Sequence, residues 1–223
     1  MEKLVAAANL LCSNMSQLIG CGLNSKTRTM FASTGLSMVL TVALTLGLVA
    51  PAQSAQALVP QPPQLAASAY ILIDALTGKV IVENNADLLL PPASLTKMMT
   101  AYMLSFGLAA GNVALDDQVR ISEKAWRTEG SRMFIQEGKL VKLEDLMRGI
   151  IIQSGNDASV AVAEHLAGSE ESFADLMNQH AMRLGMTQTY FSNSTGLPAE
   201  GHLTTARDLA ILAQAIIRDY PKH

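Results

Sequence analysis

The pattern of apolar and polar residues separates an apolar N-terminal segment from a longer, mixed body. Residues 38–50 form a run of 13 residues that are apolar or nearly so, and no charged residue occurs between Arg28 and Asp74. A membrane-spanning helix needs about 20 such residues. A shorter run, with basic residues before it and small residues after it, is typical of a secretory signal peptide. We therefore predict a signal peptide over residues 1–57 and a Gln- and Pro-rich linker over residues 58–67.

The body, residues 68–223, opens with a pattern that predicts an antiparallel β-hairpin. Residues 68–74 are largely apolar with β-branched and aromatic side chains, Thr77-Gly78 is a turn signal, and residues 79–83 alternate between apolar and polar. Residues 116–122 indicate one further short strand. A two-stranded hairpin is marginally stable alone, and we predict no strand after residue 122. The hairpin is therefore expected to lack sheet partners within this chain.

The rest of the body has the periodicity of amphipathic helices. Apolar residues recur at intervals of three and four positions, which is the spacing of one helix face. The predicted helices cover residues 94–104, 143–153, 158–166, 171–184 and 209–217. The body is thus predicted to be two N-terminal strands followed by a mostly helical region.

Composition narrows the class of protein. Hydrophobic residues make up 49% of the chain and charged residues 16%, which excludes a disordered chain. The net charge of −3 gives no indication of a nucleic-acid partner. Both cysteines, Cys12 and Cys21, precede the body, so the body has no disulfide framework and no thiol nucleophile. His165, His180 and His202 do not form a zinc-binding motif, and we expect neither a metal ion nor a cofactor.

The first motif that could carry chemistry is Ser94-Leu95-Thr96-Lys97. A serine and a lysine three positions apart share one face of a helix. A serine hydroxyl is a weak nucleophile that needs a base, and a partly buried lysine can be that base because desolvation lowers its pKa. The structural alternative is that Ser94 only caps the helix.

The second motif is Ser154-Gly155-Asn156, which lies 60 residues after Ser94 and follows an apolar run at residues 149–152. A turn of this kind can direct a hydroxyl and a carboxamide into one cavity. The structural alternative is the end of one helix followed by the start of another.

Together the two motifs resemble those of the D-alanyl-D-alanine carboxypeptidases, the low-molecular-mass penicillin-binding serine peptidases. The resemblance covers about residues 58–220. It implies an α/β fold like that of the serine β-lactamases and transpeptidases, with N-terminal antiparallel strands and a helical region. The supporting segments are residues 91–102, 125–127, 130–134, 151–158 and 195–198.

The resemblance also implies a role for each motif residue. Ser94 would be the nucleophile that forms the acyl-enzyme, and its backbone N–H would be half of the oxyanion hole. Lys97 would be the general base for acylation. Ser154 would carry protons to and from the departing D-alanine, and Asn156 would orient Lys97 and bind the substrate amide.

The implied reaction removes the terminal D-alanine from the pentapeptide stems of peptidoglycan, and β-lactam antibiotics would acylate the same serine as covalent inhibitors. The implied location is the periplasm or the outer face of the cytoplasmic membrane. A DD-endopeptidase and a serine β-lactamase of the same fold remain alternatives, although the loop around Glu200 does not match the β-lactamase pattern. A non-catalytic module that binds peptidoglycan or penicillin is the alternative of another class.

One family motif, Lys-Thr-Gly, is absent from the sequence, where the only Lys-Thr pair is Lys26-Thr27. In the family, this motif supplies the cation for the substrate carboxylate and the second N–H of the oxyanion hole. The C-terminal β-rich domain and the amphipathic membrane anchor of the family are also not found. We therefore expect a chain whose C-terminal sheet strands are missing, and we expect peripheral membrane association to depend on a segment outside it.

Overall fold

The computed structural model describes residues 65–221. The predicted signal peptide and residues 58–64 of the predicted linker lie outside the described residues. The strands are β1 (Tyr70–Ile73), β2 (Val80–Asn84), β3 (Gln118–Arg120) and β4 (Leu140–Lys142). A 3₁₀ turn (Ala93–Thr96) precedes the first of the helices, which are α1 (Lys97–Ala109), α2 (Glu123–Arg127), α3 (Leu143–Gln153), α4 (Asn156–Ala167), α5 (Glu170–Leu184) and α6 (Ala206–Asp219).

The predicted hairpin is confirmed. β1 and β2 pair antiparallel, with Ile71 opposite Glu83. The Asp74 carboxylate closes the turn by accepting hydrogen bonds from the backbone N–H groups of Leu76 and Thr77 at 3.1 and 2.7 Å. Helix α6 packs against β1, so the hairpin is attached to the C-terminal helix of the described region.

The prediction that no strand follows residue 122 is wrong. β4 pairs antiparallel with β3, with Val119 opposite Val141, and forms a second two-stranded sheet. The short helix α2 was not predicted either, and it begins where the Ser122 hydroxyl accepts a hydrogen bond from Ala125 N–H at 3.0 Å. β4 has three residues and α2 has five, fewer than the roughly four residues that a strand alternation needs and the roughly ten that a helix periodicity needs, which explains both omissions.

Helix α4 is the centre of the described region. Its first eight residues are all buried, and it packs against α1, α2, α3 and α5. One apolar cluster joins it to α3 and to β3, and a second cluster lies between α1, α5 and α6. Lys97 is the first residue of α1 and Asn156 is the first residue of α4, so the core holds both motifs at the ends of packed helices.

Among residues 65–221, none of the helices combines the length and the hydropathy that crossing a bilayer requires.

Candidate active site

Ser94 lies in a tight turn at the start of α1. The helix predicted from residue 94 begins instead as a 3₁₀ turn, in which Leu95 N–H donates to the Pro92 carbonyl at 3.1 Å. Ala93 has a φ of +47°, a left-handed conformation that costs a non-glycine residue about 1 kcal/mol or more. Ser94 itself is exposed. The turn therefore presents the Ser94 side chain to solvent on a strained backbone that its surroundings must hold in place.

Lys97 is buried, with 5% of its surface exposed. Its Nζ donates hydrogen bonds to Asn156 Oδ1 and to the Thr195 carbonyl, both at 2.7 Å. Burial lowers the pKa of Lys97 from the ordinary 10.5 to about 8, because the charged form loses its hydration. The amine form is therefore accessible near neutral pH, as a general base requires.

Asn156 is held through both its carboxamide and its backbone. Its Nδ2 donates to the Glu129 carbonyl at 2.6 Å, and its backbone N–H donates to the Ser131 carbonyl at 2.7 Å. Because a carbonyl only accepts, the bond to Glu129 identifies the amide nitrogen and leaves Oδ1 facing Lys97. Gly130 leaves room for this amide, since a Cβ at that position would come within 2.7 Å of Asn156 Nδ2.

Ser154 ends helix α3 in a left-handed conformation, with φ 54° and ψ 38°. It lines one cavity of about 360 Å³ together with Ser94 and Lys97. The rest of that lining is mostly apolar and includes Met98, Met147 and Ile150. The structure thus brings Ser94, Lys97 and Ser154 to one cavity and places Asn156 against the Lys97 ammonium.

A loop that sequence reasoning did not assign to the site completes the surroundings of Lys97. Asn193 Oδ1 accepts hydrogen bonds from Thr195 N–H at 3.1 Å and from Gly196 N–H at 2.7 Å. This turn points the Thr195 carbonyl at Lys97. The buried Glu170 carboxylate supports the loop by accepting from the backbone and the hydroxyl of Ser194 at 3.1 and 2.8 Å. In the sequence, the spacing of Asn193 and Gly196 is the signal that could have indicated this turn.

Asp157 holds a second loop, residues 129–135, against the site. Its buried carboxylate accepts from the backbone N–H groups of Met133 and Ile135 at 3.0 and 3.2 Å. The same loop supplies the two carbonyls that bind Asn156. Asp157 therefore supports the Asn156 carboxamide without touching Lys97.

In the part of the chain that the structure describes, neither a second cavity nor the distribution of metal-binding side chains gives an alternative site with this combination of residues. A larger cavity of about 570 Å³ is lined by residues 83–88 and Arg207 and contains neither motif. Within residues 65–221, no group of three or more His, Cys, Asp or Glu side chains could hold a metal ion.

Solved structures similar to this chain include a D-alanyl-D-alanine carboxypeptidase and a penicillin-binding protein. The chain is similar to the crystal structure of the D-alanyl-D-alanine carboxypeptidase DacD from Francisella tularensis, with a TM-score of 0.72 and 42% identity over 73% of this chain and 40% of that one. It is also similar to penicillin binding protein 5 from Haemophilus influenzae, with a TM-score of 0.71 and 40% identity over 73% of this chain and 48% of that one. The predicted fold class is confirmed.

The family itself follows from the sequence comparison. A profile of the D-alanyl-D-alanine carboxypeptidase family matches residues 56–223, and the chain belongs to this family. The D-alanyl-D-alanine carboxypeptidase DacC of Escherichia coli K12 is 46% identical over 168 residues, which are 73% of this chain and 42% of DacC. The chain thus spans about two-fifths of that relative's length. A D-alanyl-D-alanine endopeptidase of the same organism is more distant, at 30% identity over 83% of this chain and 58% of its own length.

Proposed function

We propose that this protein is a serine-type D-Ala-D-Ala carboxypeptidase, which removes the terminal D-alanine from peptidoglycan pentapeptides through an acyl-enzyme on Ser94. The observation that carries the proposal is the buried Lys97 ammonium, one helical turn from Ser94 and lining the same cavity as Ser154. Relatives and solved neighbours named as D-alanyl-D-alanine carboxypeptidases support it.

Acylation begins when the Lys97 amine accepts the proton of the Ser94 hydroxyl. The Ser94 oxygen then bonds to the carbonyl carbon of the penultimate D-alanine, and the carbonyl electrons move to its oxygen. The Ser94 backbone N–H lies at a helix start, where N–H groups lack intrahelical partners and stabilise a developing oxyanion. The lowered pKa of Lys97 makes this proton transfer accessible near neutral pH.

The C–N bond breaks when the leaving amine receives a proton through the Ser154 hydroxyl, which is replenished from the Lys97 ammonium. Asn156 keeps that ammonium in place through Oδ1. One N–H of the Asn156 carboxamide binds the Glu129 carbonyl, and the second N–H is the donor that we assign to the substrate amide. Water then attacks the Ser94 ester and releases the shortened peptide.

The same serine would react with β-lactams, because their strained amide imitates the D-alanyl-D-alanine terminus. Opening of the ring leaves the inhibitor attached to Ser94 as an ester. The similarity to a protein named as penicillin binding supports this expectation.

The proposed location is outside the cytoplasm, where peptidoglycan is exposed. The apolar run at residues 38–50 and the small residues after it support export through a cleaved signal peptide. Mass spectrometry of the secreted protein should find its first residue after residue 57. A mature protein that starts before residue 50 would count against this assignment.

A DD-endopeptidase is the second candidate, because an endopeptidase relative is 30% identical to this chain. The two activities share the acyl-enzyme chemistry and differ in the leaving group. Incubation with a pentapeptide and with a cross-linked muropeptide dimer distinguishes them: a carboxypeptidase releases free D-alanine from the first, and an endopeptidase splits the second. Continuous turnover of penicillin would instead indicate a β-lactamase.

The test of the nucleophile is labelling with a fluorescent penicillin, performed on the protein as its gene encodes it. Peptide mass spectrometry should locate the label on Ser94. Ser94→Ala should abolish both labelling and D-alanine release, while the control Ser172→Ala, at an exposed serine of α5, should leave both unchanged. If Ser94→Ala labels as well as the unaltered protein, the assignment of the nucleophile is wrong.

A further inference from the structure

Thr96, between Ser94 and Lys97, does not use its hydroxyl as its position would suggest. It is the residue that caps α1, where a threonine commonly accepts a hydrogen bond from a backbone N–H two or three residues later. Thr96 makes no such bond, and its backbone is already helical, with φ −49° and ψ −37°. Its side chain is fully buried. The Thr96 Oγ1 instead lies 2.8 Å from His202 Nε2, 106 positions along the chain.

The surroundings of His202 determine which ring nitrogen carries the proton. His202 is 3% exposed, and its Nδ1 lies 3.0 Å from the backbone nitrogen of Ser192, whose N–H can only donate. Nδ1 must therefore be unprotonated, and the proton of the neutral ring is on Nε2. The bond to Thr96 is then a donation from His202 Nε2–H. Burial also lowers the pKa of His202 below its ordinary 6.5, which favours the neutral ring.

The loop that carries His202 holds the same turn at two other points. The Thr195 carbonyl accepts from Lys97 Nζ, and Gly196 packs directly against the Ala93 carbonyl. Thr96 lies between Ala93 and Lys97 in the sequence, and its bond to His202 connects the turn to the far end of the loop. These contacts together fix the position of the strained turn relative to the Thr195 carbonyl that binds Lys97.

We propose that His202 is a positioning residue for acyl transfer: as the neutral Nε2–H tautomer it holds Thr96, and through Thr96 it keeps Ser94 and Lys97 aligned with each other and with the Thr195 carbonyl. This inference rests on the proposed function, since it assigns His202 a part in that reaction. His202 touches neither reacting group.

The first test separates the limiting rate of acylation from penicillin binding. We expect His202→Ala to lower the limiting rate of Ser94 acylation by about 10- to 100-fold, the range of a small misplacement of reacting groups. The penicillin concentration for half-maximal rate should change by less than about 2-fold. His202→Gln can donate from Nε2 and should recover the rate to within about 3-fold of the unaltered protein. The control His165→Ala, at an exposed histidine, should have no effect.

The second test asks whether His202 acts through Thr96. Thr96→Val keeps the shape of the side chain and removes the acceptor, so it should slow acylation as His202→Ala does. The double variant should be no slower than either single variant, because contacting residues in one network are not additive. If His202→Ala fails to fold, Thr96→Val measures the same loss. Nitrogen-15 NMR should show the Nε2–H tautomer of His202.

The outcomes separate the two proposals. If penicillin labels Ser94 and His202→Ala acylates at an unchanged limiting rate, the positioning role is overturned and the proposed function stands. Independent, multiplicative effects of the two single variants would also overturn it, as would an Nδ1–H tautomer. If the unaltered protein does not label at Ser94, the proposed function fails and this inference fails with it.

Discussion

Gly196→Ala is the substitution whose effect on the site can be worked out most directly from the structure. Gly196 has a φ of +85°, and a Cβ at this position would fall inside the Ala93 carbonyl group and 2.9 Å from Thr96 Oγ1. A Cβ atom essentially never comes closer than 3.0 Å to a heavy atom outside its own residue and its two chain neighbours. The two nearest obstructing atoms belong to the Ala93 backbone in the Ser94 turn, so the turn or the loop must withdraw.

The expected magnitude has two parts. The left-handed backbone costs alanine about 1–2 kcal/mol, and forcing the packed turn apart adds about 1–3 kcal/mol, so the free energy of unfolding should fall by about 2–5 kcal/mol. Restoring a normal contact requires a shift of about 1 Å at Ala93, the residue before the nucleophile, and a misplacement of this size passed on to Ser94 lowers rates by about 100-fold.

Gly185→Ala is the matched control. Gly185 has a φ of +90°, and nothing lies within 4 Å of the Cβ position, so this substitution should cost only the backbone term of about 1–2 kcal/mol. The assays are the rate of Ser94 acylation by fluorescent penicillin and unfolding in urea. If both variants acylate at the same rate and lose equal stability, the loop at Gly196 does not constrain the Ser94 turn and the reasoning is refuted.

Three further predictions concern the remaining site residues. The acylation rate should rise with pH through about 8, because the fraction of Lys97 in the amine form increases as pH passes its pKa. Lys97→Arg stays protonated and should lower the rate by about 10²- to 10⁴-fold. An unchanged rate in this variant would show that Lys97 is not the base. Asn156→Asp places a carboxylate beside the ammonium and so raises the pKa of Lys97. The midpoint of the pH–rate profile should therefore move above about 8. The control Asn156→Ala adds no charge and should not move the midpoint upward. Asp157→Ala leaves the N–H groups of Met133 and Ile135 without their acceptor, and urea unfolding should show a loss of about 2–4 kcal/mol; a loss below about 0.5 kcal/mol would show that Asp157 does not hold this loop.

Local patterns in the sequence were sufficient for the longer elements of the fold. The periodicity over residues 143–153 predicted α3 with its observed limits, and the prediction over residues 171–184 differs from α5 by one residue at its start. The spacing of Ser94 and Lys97 indicated that both side chains belong to one helix start. β4 and α2 were missed because periodicity needs more residues than either element has.

The sequence by itself determined the long helices, the hairpin and the two motifs, because these depend on interactions between residues a few positions apart. The family resemblance already implied that Asn156, 59 positions away, would orient Lys97, and the structure places its side chain against Lys97 Nζ. Only the tertiary structure decided the second group that surrounds Lys97, the backbone carbonyl of Thr195, 98 positions away. Every residue carries a carbonyl, so no residue type could identify Thr195 in advance. The packing of α1 against α4 and of the 192–202 loop against the Ser94 turn brings these distant groups together, and their burial is what lowers the pKa of Lys97.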